Sequence, residues 1–247
     1  MKSSALVWLV LSLSYTCSAQ KKVLNYPFEF EKSFLQKGQY DAYFLENRDR
    51  GNFAFILRDN KKANYVLVDG RFKVATEFTK RPEETVFNHD AVMYLGGTCT
   101  GNTFHFVFKV TDKKFIGANT ITYMMESVDF GAGRVSDDKA FEIPKEEELL
   151  VSFSDHNRYF TITANKKTSD LQFYQVSADG QATSKTLHFN IPPGIKKDKN
   201  ELTGYLAGLK LIREDEEPGL DLATHRAKLF CYADKLVFTV PGIRWGR

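Results

Sequence analysis

The chain has 247 residues, of which 43% are hydrophobic, 14% aromatic and 26% charged, and its formal net charge is +3. This composition excludes a disordered chain, and the mild excess of Lys and Arg, interspersed with Asp and Glu, falls short of a nucleic-acid-binding footprint. No stretch beyond the opening segment approaches the roughly 20 apolar residues of a membrane-spanning helix, so no transmembrane segment is expected.

The chain opens with Lys2, an apolar run from Ala5 to Leu13, and the small or polar residues Ser14 to Ala19. Positive, apolar, then small is the order of a secretory signal peptide. Residues 1–19 are therefore expected to be a cleaved signal, and residues 20–247 a single β-rich domain exported to the extracellular space. The segment from Glu31 to Leu45 carries Phe34, Leu35, Tyr40, Tyr43 and Phe44 among polar residues and is interrupted by Gly38. It reads as a short helix or an irregular wrap.

From there on, apolar residues alternate over short runs rich in Phe, Tyr, Val, Ile and Thr, the signature of half-buried strands. Strands are predicted at Phe53 to Leu57, Tyr65 to Val68, Phe104 to Val110, Ile121 to Met125, Val151 to Phe153, Tyr159 to Thr163, Leu171 to Val176 and Leu236 to Val240. In the third of these, Phe104, Phe106, Phe108 and Val110 share one face, His105 and Lys109 lie on the other, and only Val107 breaks the pattern. The stretch from Asn200 to Arg213 fits a helix and a strand equally well.

A hairpin signature recurs along the chain. An aromatic strand runs into Asp followed by Gly or Lys at Asp69-Gly70, Asp112-Lys113, Asp179-Gly180 and Asp234-Lys235. Asp tolerates the left-handed conformation and bonds its own turn, and Gly reaches positive φ freely. The turns are about 43, 67 and 55 residues apart, with the Gly- and charge-rich stretch from Asp129 to Glu148 read as an insertion in the longest gap. A strand before each hairpin (Phe53 to Leu57, Ala91 to Leu95, Leu149 to Phe153, Tyr205 to Leu211) makes four units near the length of a propeller blade. The expected fold is all-β, a small β-propeller-like repeat of four-stranded units; a β-sandwich or a barrel are the alternatives.

Past the signal, only Cys99 and Cys231 remain, and an even number in an oxidising compartment predicts a disulfide between them. Gly96, Gly97, Thr98, Cys99, Thr100 and Gly101 read as a glycine-rich turn carrying one half of that bridge. His89 beside Asp90 and His156 beside Asp155 read as solvated turn residues, and the scattered histidines lack metal-ligand spacing. No nucleophile elbow, zinc helix, phosphate loop or calcium loop is present, so no catalytic residue, metal or cofactor is expected.

The candidate binding residues are basic and aromatic. Lys196, Lys197 and Lys199 follow the Pro192-Pro193-Gly194 break, and Arg244 and Arg247 flank Trp245. Arg and Trp are enriched at interaction hot spots. The expected function is a secreted binding or modulatory protein acting through loops on an extracellular protein, with an anionic surface as a compatible partner. A salivary-type inhibitor of host clotting or immunity is one concrete form. A propeller-type glycosidase-like hydrolase and a small-ligand carrier are the alternatives.

Overall fold

A computed structural model describes residues 26–27, 41–59, 61–112, 120–155, 157–165, 167–168, 170–188, 210–213, 228–232 and 235–239. Their architecture is all-β and repetitive. Sheet 1 is the antiparallel meander β1 (Asp41–Asn47), β2 (Asn52–Arg58), β3 (Ala63–Val68) and β4 (Val74–Lys80). Two 3-10 turns, Pro82–Glu84 and Val86–Asn88, lead into sheet 2, formed by β5 (Ala91–Thr100), β6 (Thr103–Asp112), β7 (Thr120–Asp129) and β8 (Arg134–Phe141). Sheet 3 repeats the order with β9 (Glu147–Asp155), β10 (Arg158–Asn165), β11 (Leu171–Val176) and β12 (Ala182–Leu187). Successive four-stranded meanders are the propeller-like repeat expected from the sequence.

The fourth unit departs from the pattern. Among the described residues it has three strands, β13 (Lys210–Arg213), β14 (Lys228–Cys231) and β15 (Leu236–Thr239), and β13 pairs with β14 in parallel. The ambiguous Tyr205-to-Leu211 region thus contributes a strand from Lys210 onward.

The sheets stack face to face in series, and each seam is a separate core. Tyr43, Leu45, Ile56, Tyr65 and Leu67 of sheet 1 meet Phe104, Phe106, Phe108, Val110 and Val128 of sheet 2, with Val86 and Phe87 between them. Val107, Met125 and Ala140 of sheet 2 meet Tyr159 and Val176 of sheet 3. Phe153, Phe160 and Ile162 of sheet 3 meet Leu229 and Cys231 of sheet 4. Full burial of one such Phe is worth about 2 kcal/mol relative to exposure. In sheets 1 to 3 the first strands lie together, with β5 against both β1 and β9, and the fourth strands lie outward, β12 being exposed at every position.

This stacking explains four departures from the sequence reading. Val107 does not break an amphipathic pattern: β6 is a middle strand with both faces buried, Phe104, Phe106, Phe108 and Val110 in the first seam and Val107 in the second. His105, expected on a polar face, is buried with it. The Glu31-to-Leu45 wrap gives way at Asp41 to strand β1, with Tyr43, Leu45 and Asn47 inward and Phe44 and Glu46 outward. The Gly96-to-Thr100 turn is also a strand, the second half of β5, and its glycines are there for close packing. A bulge falls between Tyr94 and Gly96, a Cβ on Gly96 would lie 3.0 Å from the Tyr159 ring, and one on Gly97 would collide with the His105 carbonyl.

The predicted disulfide is not formed. Cys99 and Cys231 are both buried as thiols, Cys99 in the seam of sheets 1 and 2 and Cys231 in the seam of sheets 3 and 4. An even count of cysteines does not make two seams meet.

The Asp129-to-Glu148 insertion is likewise a correction: it holds the β7–β8 turn and strand β8. The repeat is therefore carried by the turn between third and fourth strands. That turn occurs at Asp69 to Lys73, Asp129 to Arg134 and Ser177 to Gln181, while Asp112 ends β6, the second strand of its sheet. Asp129 Oδ1 accepts from the N–H of Gly131 at 2.9 Å and of Ala132 at 3.0 Å, as Asp69 Oδ1 accepts from those of Arg71 and Lys73, both at 2.9 Å. Asp234 lies outside the described residues.

Candidate functional site

In a meander, the first-to-second and third-to-fourth turns lie at the same end, so sheets 1 to 3 bring six turns to one end of the stack. Five of them are tied to one another, four of these across sheets. Asn47 Nδ2 donates to the Gly101 carbonyl at 3.1 Å, and the Phe130 N–H donates to the Asn102 carbonyl at 3.1 Å. Asn157 Nδ2 donates to Asp49 Oδ2, and Thr98 Oγ1 to the Asn157 carbonyl. Gly70 packs against the Gly51 carbonyl, where a Cβ would lie at 3.0 Å. A surface this cross-linked holds its loops in one arrangement.

Two of these turns share one backbone frame. The Asp69 N–H donates to the Lys73 carbonyl and the Phe72 N–H to the Asp69 carbonyl, both at 2.9 Å; Ser177 N–H to Gln181 and Gly180 N–H to Ser177 repeat the pattern at 3.0 and 2.9 Å. This is the three-residue hairpin closed by a left-handed residue. That residue is Gly180 in sheet 3, at φ +82°, and Phe72 in sheet 1, at φ +59°. The turn hydrogen bonds also set local charge: the Lys73 N–H, foremost, holds the Asp69 carboxyl below its usual range, and the Ser177 hydroxyl does the same for Asp179.

Phe72 belongs to a row of aromatic rings on the outer face of sheet 1. Phe53 lies 5.9 Å from Phe72, 5.2 Å from Phe44 and 6.4 Å from Phe55, centroid to centroid. At the Phe55 end, Tyr26 meets the row edge-on at 5.4 Å, and its hydroxyl donates to Glu77 Oε2 at 2.7 Å. At the other end Phe44 is 54% exposed, Phe72 44% and Val74 40%.

A polar node lies inside the first seam. Glu126 of β7 is fully buried; its Oε1 accepts from the Tyr65 hydroxyl at 2.9 Å and its Oε2 from the Val86 N–H at 3.0 Å. Burial pushes its carboxyl up to about 7 against the pull of those two donors and of Arg58. Burial, and then the Glu126 charge, pushes the Tyr65 phenol far up. Nearby, Arg58 Nη1 is 3.6 Å from Asp41 Oδ2, and the guanidinium sits 4.8 Å over the Phe87 ring.

His105 Nδ1 lies 2.8 Å from Ser127 Oγ, a spacing that a nucleophile–base pair would need. The ring is capped by Gly180, where a Cβ would lie 2.7 Å from Cε1, so no substrate group fits against it there. Burial holds the imidazole pKa down, with Asp179 opposing. His89 is not a freely solvated turn residue: its Nδ1 lies 2.8 Å from Asp112 Oδ1 across the pair of strands. Among the described residues, no cluster of three His, Cys, Asp or Glu side chains is placed to hold a metal ion.

No family model matches the chain, and no curated protein is similar to it. Among solved structures, it is similar to the β-propeller domain of Nup133 from Vanderwaltozyma polyspora, with 10% identity over 60% of this chain and 47% of that one, at a TM-score of 0.28. It is also similar to the C-terminal domain of Bacillus megaterium YpeB, with 11% identity over 62% of this chain and 92% of that one, at a TM-score of 0.17. The chain spans about half the length of the Nup133 propeller domain. The fold assignment rests on the sheet order itself.

The binding residues expected from the sequence, Lys196, Lys197, Lys199, Arg244, Trp245 and Arg247, lie outside the described residues, as do His156 and the expected signal peptide. Sequence reading missed the row of Phe44, Phe53 and Phe72. Phe44 faces Phe55 across the β1–β2 hairpin, with Phe53 two residues from Phe55 on the same face, a detectable signal. The positive φ of Phe72 has none, because a bulky residue is an outlier in that region.

Proposed function

We propose that the chain is a secreted extracellular protein that binds another macromolecule through the turn end of the stack. What supports this reading is the tying of five turns from three sheets into one surface, since loops on a rigid scaffold are where binding specificity resides. The surface mixes charges: Arg48, Arg50, Arg71, Lys73 and Arg134 alternate with Glu46, Asp49, Asp69, Asp129 and Asp179. That balance suits a protein partner better than a polyanion, which binds by counterion release to an excess of cations. A salivary-type inhibitor of host clotting or immunity remains one form of the proposal. Export rests on the Lys2-to-Ala19 signal pattern.

The test is an affinity pull-down from plasma or tissue fluid with the immobilised full chain, read by mass spectrometry. A specific partner recovered by the wild type and lost when Arg50, Arg71 and Arg134 are all changed to Glu is the expected result. Failure to recover any partner refutes the reading.

A further inference from the structure

Phe72 stands where the backbone asks for glycine. Among the described residues, the other left-handed turn positions are Gly51, Gly101, Gly133, Gly180 and Asn157, the residue types that adopt this conformation at least cost. A bulky aromatic residue there is a genuine outlier, and such strain clusters at sites of recognition. The fold does not use the ring to fill its core: Phe72 is 44% exposed, and its ring contact is with Phe53 on the outer face of sheet 1.

The other half of the row shows what it accepts. Tyr26 lies outside the strands of sheet 1 and packs edge-on against Phe55, with its hydroxyl on Glu77. The exposed half, Phe44 and Phe72 around Phe53, offers the same kind of ring surface. Its charge differs. Phe72 is flanked by the exposed Arg71 and Lys73, and Asp69 of the same turn accepts the N–H groups of those two residues while its charge offsets part of theirs. Glu46, opposite Phe53 in the β1–β2 register, is paired with Arg48 at 3.6 Å. The Arg71-to-Lys73 turn therefore keeps more cation than acid beside the exposed rings.

We propose that the Phe44–Phe53–Phe72 patch docks an extended acidic segment of a partner protein that carries an aromatic side chain, its ring seated on the row and its carboxylates paired with Arg71 and Lys73. This deepens the binding reading above and rests on it. Phe72 is the anchor, and its strained backbone is retained for recognition.

The test uses the full chain and a fluorescein-labelled peptide of alternating Glu and Tyr, followed by anisotropy. Wild type binds it, and binds controls with Ser for Tyr or Lys for Glu at least about tenfold more weakly, as expected for an aromatic anchor with charged flanks. Phe72→Gly melts at a higher temperature, because the strain is relieved, yet loses about tenfold in affinity. Arg71→Glu with Lys73→Glu weakens the same peptide while the chain still melts in one cooperative transition. The proposal is overturned if the Glu–Tyr peptide does not bind, if Phe72→Gly binds it as wild type does, or if the Ser control binds equally. It is also overturned if phosphatidylserine-containing vesicles capture the chain with the same Phe72 dependence, which would assign the patch to lipid. In the pull-down, a partner recovered equally by wild type and Phe72→Gly refutes the patch and leaves the binding reading standing; no partner with either refutes that reading.

Discussion

Replacing Glu126 by Gln should change the pH dependence of stability in a defined direction. The carboxyl titrates near 7 in the folded chain against an ordinary 4.5. Between these values the folded state keeps a proton that the unfolded state has released, so this site's contribution is fully present below pH 4.5 and is lost as pH rises through 7. The loss corresponds to about 3 kcal/mol, undiminished by solvent screening because Glu126 is completely buried. Its surroundings are Tyr65 on β3, Arg58 on β2, the Val86 N–H and Asp137 on β8, and Gln preserves the shape without the titration. Urea unfolding at pH 5, 6, 7 and 8, read by far-ultraviolet circular dichroism, gives the comparison. Wild type should lose stability relative to Glu126→Gln across that range. If the difference between the two proteins is constant from pH 5 to pH 8, the placement of a proton in this seam is wrong.

His105 should work in the opposite sense. Burial lowers its pKa below 6.5, so its contribution is present above pH 6.5 and lost on acidification, and His105→Gln should flatten the acid limb of the same curves. Gly97→Ala should destabilise by about 3 kcal/mol through overpacking against the His105 carbonyl and Leu45. Gly133→Ala, at φ +62° in open space, should cost only about 1 kcal/mol; equal losses in thermal melts would contradict the assignment of Gly97 to close packing. Cys99 and Cys231 should be recovered singly alkylated from denatured, unreduced protein, and a crosslinked peptide would restore the disulfide. In the folded chain Cys99 should label slowly, because burial, with Asp49 and Glu46, pushes its thiol up to about 12.

The alternation of Phe104, Phe106 and Phe108 showed a strand because one face of β6 is uniformly aromatic. Val107 looked like noise because alternation assumes one wet face, and a middle sheet has none. Asp69 and Asp179 marked true turns between third and fourth strands, while Asp129 was hidden by the Phe130-Gly131-Ala132-Gly133 run that follows it. Strands β8 and β12 were illegible for a different reason: outer strands bury almost nothing, so Arg134 to Phe141 and Ala182 to Leu187 carry little period. Glu126 gives no local warning, sitting between Met125 and Ser127 in a strand. Its meaning comes from Tyr65 and Val86, each some 40 to 60 residues away.

Because the seams are arranged in series, the sheets depend on one another unequally. Sheets 2 and 3 each contribute to two cores, whereas the described part of sheet 4 contributes to one. Stability in such an array passes from neighbour to neighbour. Opening the third seam should leave the amides of β6 protected from hydrogen exchange, while opening the first should release β1 to β3 together and carry the aromatic row with them. The aromatic row is thus as rigid as the first seam and no more, and a proton at Glu126 that tightens this seam also tightens the row on its far side.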